Sequence, residues 1–144
     1  MLITNIVSFC ITQATIFNSS SFTRETVTKI QVSAKMKITH GVTEEFKEQA
    51  AKCISIAKEK DPGTFQYDWF LNSDKTECEI REAYESSEAL LAHISNLREP
   101  LRTLFEKFAS DHSVVIYGDP SQELLENAKA RGIDITIFSF LQGL

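Results

Sequence analysis

The order of hydrophobic periodicities predicts an α+β fold: one sheet with helices packed on one face. Three observations carry this expectation. A period-two run over residues 28–38 precedes a helical run over 43–60. Two further period-two runs follow back to back, Phe65, Tyr67, Trp69, Leu71 and then Cys78, Ile80, Glu82, Tyr84, which is the pattern of a hairpin. A helical stripe of Leu90, Ile94, Leu97, Leu101, Leu104, Phe105 and Phe108 comes next.

Each element has local signals. In the first strand Ile30, Val32, Ala34, Met36 and Ile38 face one way, and Lys29, Gln31, Ser33, Lys35 and Lys37 the other. His40-Gly41 turns the chain into a helix with Val42, Phe46, Ala50, Cys53, Ile54 and Ala57 on its apolar side. Glu44 and Glu45 suit its positive end, Lys58 and Lys60 its negative end, and Asp61-Pro62-Gly63 stops it. Asn72-Ser73-Asp74-Lys75 supplies the hairpin turn. With Leu71 opposite Thr76, the register pairs Trp69 with Cys78, Tyr67 with Ile80 and Phe65 with Glu82. Ser86 caps a helix to about Asn96, and Pro100 breaks it before a second segment to Phe108. A short strand over 113–117, a turn at Gly118-Asp119-Pro120, a helix over 121–130 and a strand over 134–140 complete the chain. The core order β-α-β-β-α-β is the ferredoxin-like pattern, with a helix and a C-terminal strand appended. A sheet face bearing Phe65, Tyr67 and Trp69 requires a cover, either a pocket or a partner sheet.

Composition narrows the function. A 144-residue, 16.3 kDa chain has the size of one domain, and 42% hydrophobic with 24% charged residues places it among globular proteins. A net charge of −5 leaves no basic surplus for nucleic acid. Cys10, Cys53 and Cys78 make an odd count with no Cys-x-x-Cys pair, which argues against a disulfide scaffold or zinc site and for the reducing cytoplasm. Residues 1–23 carry no charge, lack a basic leader region, and are too interrupted by polar residues to span a membrane. Residues 1–26 therefore read as an N-terminal extension or an added edge strand, and 27–144 as the domain.

Gly41 with Glu44-Glu45-Phe46, Asp61-Pro62-Gly63-Thr64 leading to Tyr67, and Glu82-x-Tyr84-x-Ser86-x-Glu88-Ala89 with His93 resemble the antibiotic biosynthesis monooxygenase family, over roughly residues 27–140. The resemblance implies a dimeric α/β barrel, in which two ferredoxin-like sheets pair and the final strand often reaches over the partner. It also implies a homodimer acting on a small phenolic or quinol-like molecule with molecular oxygen and no cofactor. Other members isomerise small sugar-like signals or degrade haem. The haem-degrading branch has tryptophan where His93 stands and an iron-binding histidine where Thr103 stands, which argues against haem here.

The candidate catalytic residues are His93 and Glu82. His93 falls at the border of the apolar helix stripe, where an imidazole takes up a proton near neutral pH; a semi-buried structural histidine is the plainer reading. Glu82 shares the face of Tyr67, Trp69 and Ile80, so its carboxyl needs a partner or a proton; a structural hydrogen bond is its plainer reading. Phe65, Tyr67, Trp69 and Tyr84 are either core or the walls of a slot for a planar ligand, to which Asn96 adds an amide; an exposed polar residue is the plainer reading of Asn96. His40 and His112 read as surface residues, and no metal-ligand or phosphate-loop motif is present. The alternatives to the oxygenase are a non-catalytic dimeric stress-response or binding module and an isomerase of a small hydroxyketone.

Overall fold

Burial of one apolar set per element organises the sheet. The computed structural model describes residues 29–144, and the N-terminal stretch, with its extension or edge-strand reading, lies outside the described residues. The elements are β1 (Ile30–Ile38), α1 (Thr43–Lys60), β2 (Thr64–Leu71), β3 (Glu77–Tyr84), α2 (Ser87–Asn96), α3 (Arg98–Lys107), β4 (Ala109–Tyr117), α4 (Gln122–Ala130) and β5 (Ile135–Phe138). They form one five-stranded sheet in the order β2-β3-β1-β4-β5. β1 lies antiparallel between β3 and β4, which is the ferredoxin-like arrangement. β5 runs parallel to β4, joined through α4, and so extends the chain's own sheet.

The helices cover a single face. Ala34, Met36 and Ile80 pack with Phe46 of α1 and Leu104 of α3, while Ile30, Val32 and Ile116 pack with Leu90 of α2 and Leu124 of α4. Of the two covers expected for the face of Tyr67 and Trp69, the chain's own helices and the cavity beneath them supply the first. Trp69 meets Phe46 of α1 edge-on at 6.0 Å and its strand neighbour Tyr67 at 5.6 Å, and it is half-buried against the helices. The open face is mixed: Lys35 and Arg81 flank Glu79, which also accepts from Ser33 Oγ at 2.6 Å. Phe70, Tyr117 and Phe138 stand exposed, the last two stacked.

The hairpin register differs from the expected one by two residues. Leu71 pairs with Cys78, Trp69 with Ile80 and Tyr67 with Glu82. The turn is longer because the Asn72 side chain accepts from the backbone N–H groups of both Thr76 and Glu77, each at 2.9 Å, which takes Thr76 out of the ladder. A slip of two preserves which face each side chain takes. A bulge between Thr64 and Gln66 does not, and it turns Phe65 outward to 63% exposure.

The helix break falls at Leu97, which ends α2 and opens α3, and Pro100 sits in the first turn of α3. There its missing N–H costs nothing, and its carbonyl accepts from Gln49 Nε2 at 2.8 Å, tying α3 to α1. β4 starts earlier than the expected 113, through an irregularity near Asp111, a non-glycine residue at φ 53°. Ser86 and Ser121 cap α2 and α4 by accepting from the N–H groups of Ala89 and Leu124.

Candidate active site

Between the sheet and helices α2, α3 and α4 lies a cavity of about 590 Å³. Val32, Ala34, Met36 and Ile80 form its apolar floor. Tyr67, Glu82 and His93 line it together at its buried end, so residues from β2, β3 and α2 converge there.

The backbone explains how they meet. At the end of α1 the Asp61 N–H donates to Ala57 O and its carbonyl accepts from Thr64 N, so the Asp-Pro-Gly turn holds Asp61 rigidly. Its carboxylate points at α2, where Oδ2 lies 2.8 Å from His93 Nδ1, both groups buried. Asn96, one turn further along α2, donates to Asp61 Oδ1. A carboxylate facing Nδ1 selects the tautomer with the proton there, leaving Nε2 as the nitrogen that accepts a proton. Burial lowers the pKa of His93, and the hydrogen bond and charge of Asp61 oppose that shift. His93 is therefore a neutral imidazole at neutral pH.

Glu82 stands directly across from Tyr67 on β2 and accepts a hydrogen bond from the Tyr84 hydroxyl. Burial pushes its pKa up to about 7, with the Tyr84 hydrogen bond acting the other way. Tyr67 is raised by burial first and then by the charge of Glu82; only the nearby Trp69 indole favours its phenolate, and it falls short of hydrogen-bond geometry. The His93 ring is held edge-on by Tyr67, centroids 4.6 Å apart, and by Tyr84 at 5.2 Å. The site thus offers a neutral base and a half-protonated acid within a largely apolar chamber.

Several expected site residues take other places. Phe65 is outside the cavity because of the bulge. Trp69 and Tyr84 are not part of the lining: Trp69 packs on Phe46 and Tyr67, and the fully buried Tyr84 supports Glu82 and the His93 ring. Asn96 points toward the end of α1 and positions Asp61. The acid that faces His93 is Asp61, not Glu82, because Tyr84 occupies the Glu82 carboxyl. His112 lines the cavity and stacks on Phe105 at 4.4 Å, contrary to its surface reading. Burial lowers its pKa. Asp61 was missed because a helix-stopping Asp-Pro-Gly turn accounts for it fully in one dimension. The only hint was an acid and a histidine 32 residues apart, and no spacing rule joins them.

Fold and site together define a ferredoxin-like α+β domain with an internal chamber and a buried acid–imidazole pair. Residues 30–98 match the family model described as antibiotic biosynthesis monooxygenase, so this stretch of the chain is similar to that family. The structure is similar to MupZ from Pseudomonas fluorescens, with TM-score 0.67 and 22% identity over 81% of this chain and 93% of that one. It is also similar to a candidate antibiotic biosynthesis monooxygenase from Nitrosomonas europaea, with TM-score 0.58 and 22% identity over 64% and 90%. A conserved protein from Methanosarcina mazei Go1 gives TM-score 0.57 and 20% identity over 64% and 93%. Likeness at these identities carries the fold and not the reaction. No curated protein matches the chain. Among the described residues no helix is long and apolar enough to cross a membrane.

Proposed function

We propose that the chain is a homodimeric, cofactor-independent monooxygenase of a small phenolic or quinol-like compound. The observation that carries this reading is the buried Asp61–His93 pair at the inner end of an open, mainly apolar cavity. His93 Nε2 takes the hydroxyl proton of the substrate, and Asp61 stabilises the imidazolium that results. The electron-rich phenolate reduces dioxygen and combines with it at a ring carbon. Loss of the proton on that ring carbon, with cleavage of the O–O bond, leaves one oxygen atom as a new carbonyl and releases the other as water, so dioxygen is the only oxidant. Glu82, protonated in part at neutral pH, supplies a proton to the departing oxygen. The apolar walls keep bulk water from the intermediate. The homodimer is supported by the exposed Phe70, Tyr117 and Phe138 on the open sheet face. The buried free thiols of Cys53 and Cys78 suit a reducing compartment.

A cavity filled by side chains would have favoured the non-catalytic module. Oxygen uptake on a panel of naphthols and quinols decides between the readings. Uptake with some member is expected, falling roughly 10²–10⁴-fold in Asp61→Asn, whose amide no longer stabilises the imidazolium. Ligands that bind in the cavity without consuming oxygen would leave the module reading in place.

A further inference from the structure

The cavity is polarised along its length in a way the oxygenase reading does not use. Its inner end holds His93, 3% exposed, and Glu82, 8% exposed. At its outer end Arg98 and Arg102 of α3 and Arg131, the residue capping α4, line it while remaining exposed to solvent. Arg98 and Arg102 stand one helical turn apart, on the same face of α3. Asn127 stands one turn before Arg131 on α4, and its side-chain oxygen is buried with no hydrogen-bond partner. Arg102 is paired with Glu99. Arg98 and Arg131 enter no ion pair among the described residues. In a chain of net charge −5, two uncommitted guanidinium groups at the mouth of one apolar chamber form a local reversal of charge. Guanidinium groups match oxyanions with paired N–H donors.

We propose that the substrate is an amphipathic acid, with its oxyanion held at the mouth by Arg98 and Arg131 and its ionisable hydroxyl at His93. The proposal rests on the oxygenase reading for the hydroxyl end only. The anion end stands on the arginines. Fixing the anion sets how far the molecule enters, and a ring-sized apolar body then spans the floor of Val32, Ala34 and Ile80 to bring the hydroxyl to Nε2. Asn127 Oδ1 takes a donor from the ligand or its water.

Binding separates this proposal from the reaction itself. Affinities of 6-hydroxy-2-naphthoate, 2-naphthyl phosphate and 2-naphthol are measured by calorimetry on the whole chain. The naphthoate or the phosphate is expected to bind at least about 10-fold more tightly than 2-naphthol, the order of one charge-assisted anchor. Which of the two binds better tells carboxylate from phosphate. The advantage is expected to vanish in Arg98→Gln/Arg131→Gln and to persist in Arg81→Gln on the opposite sheet face. Thermal midpoints near wild type confirm that these exposed substitutions leave the fold intact. Equal binding of anionic and neutral probes, no binding of any probe, or an advantage surviving in the double variant overturns the proposal. Arginine-dependent binding with no oxygen uptake by any hydroxylated acid keeps the anchor and removes the oxygenase reading. Equal uptake on neutral and acidic quinols does the reverse.

Discussion

Burial changes what His93 contributes to stability. A residue at the edge of a helix stripe is expected to tolerate truncation, but this ring packs between two tyrosines and supplies a hydrogen-bond partner to a buried carboxylate. His93→Ala is therefore expected to cost about 2–4 kcal/mol, from the void and the weakened satisfaction of Asp61. His93→Asn keeps a donor near the Nδ1 position and is expected to recover part of that loss, while both variants lose turnover roughly 10²–10⁴-fold. Thermal unfolding and oxygen uptake on the same samples check this, and an active His93→Asn protein would take His93 out of the chemistry. Glu82 gives a pH signature. Its folded pKa of about 7 lies above the ordinary value of 4.5, so the folded state binds the extra proton between those limits. Stability then falls as pH rises from about 4.5 to about 7 and is level above. Glu82→Gln removes that slope and is expected to gain on the wild type across the window, by on the order of 3 kcal/mol at its upper end. The lowered pKa of His93 acts with opposite sign below about 6.5, and it cancels when the two proteins are compared at each pH. A difference that does not grow with pH would place the Glu82 pKa at its ordinary value.

Among the elements, the junction of α1, β2 and α2 carries the site. A Cβ added to Gly63 would stand 2.7 Å from Ala89 Cβ in the first turns of α2, and the Gly63 carbonyl accepts from Glu85 N at 2.8 Å. The turn and the helix start are thus packed backbone to side chain, and that contact sets the distance between Asp61 and His93. Gly63→Ala is expected to destabilise by about 1–3 kcal/mol. Ala89→Gly alone costs about 1 kcal/mol as a helix substitution. Together they should cost less than their sum, because the glycine makes room for the new methyl. Denaturant unfolding of the four proteins of this cycle measures the coupling, and strict additivity would mean the turn relaxes without pressing on α2.

For the whole molecule, the proposed homodimer is expected to form on the open sheet face. The aromatic pair Tyr67 and Trp69 plays no part in it, since α1 and α2 cover them. Phe70, Tyr117 and Phe138 remain, with charged Lys35, Glu79 and Arg81 between them, a mixture suited to a sheet-on-sheet contact with a polar component. Light scattering at micromolar concentration is expected to give twice the 16.3 kDa chain mass. Phe138→Asp is expected to shift the equilibrium toward the monomer. A wild-type monomer would leave the barrel without its second half.

The chain by itself determined the class of each element, because periodicity, caps and stop signals act over a few residues. The alternation of β1, the acidic start and basic end of α1, and the serine caps of α2 and α4 are all of this kind. It also determined that Tyr67 and Glu82 share the inner face, since parity survives a register slip of two, and that His93 lies at the border of its helix's apolar stripe. Tertiary structure decided the rest. Asn72 closing on two N–H groups set the hairpin register, and one bulge removed Phe65 from the wall. The partner of His93 depended on how a turn after α1 meets the side of α2, and Arg98 and Arg131 share a cavity only once α3 and α4 are placed over the same sheet. Contacts between residues distant in sequence follow from packing, which has no local signature.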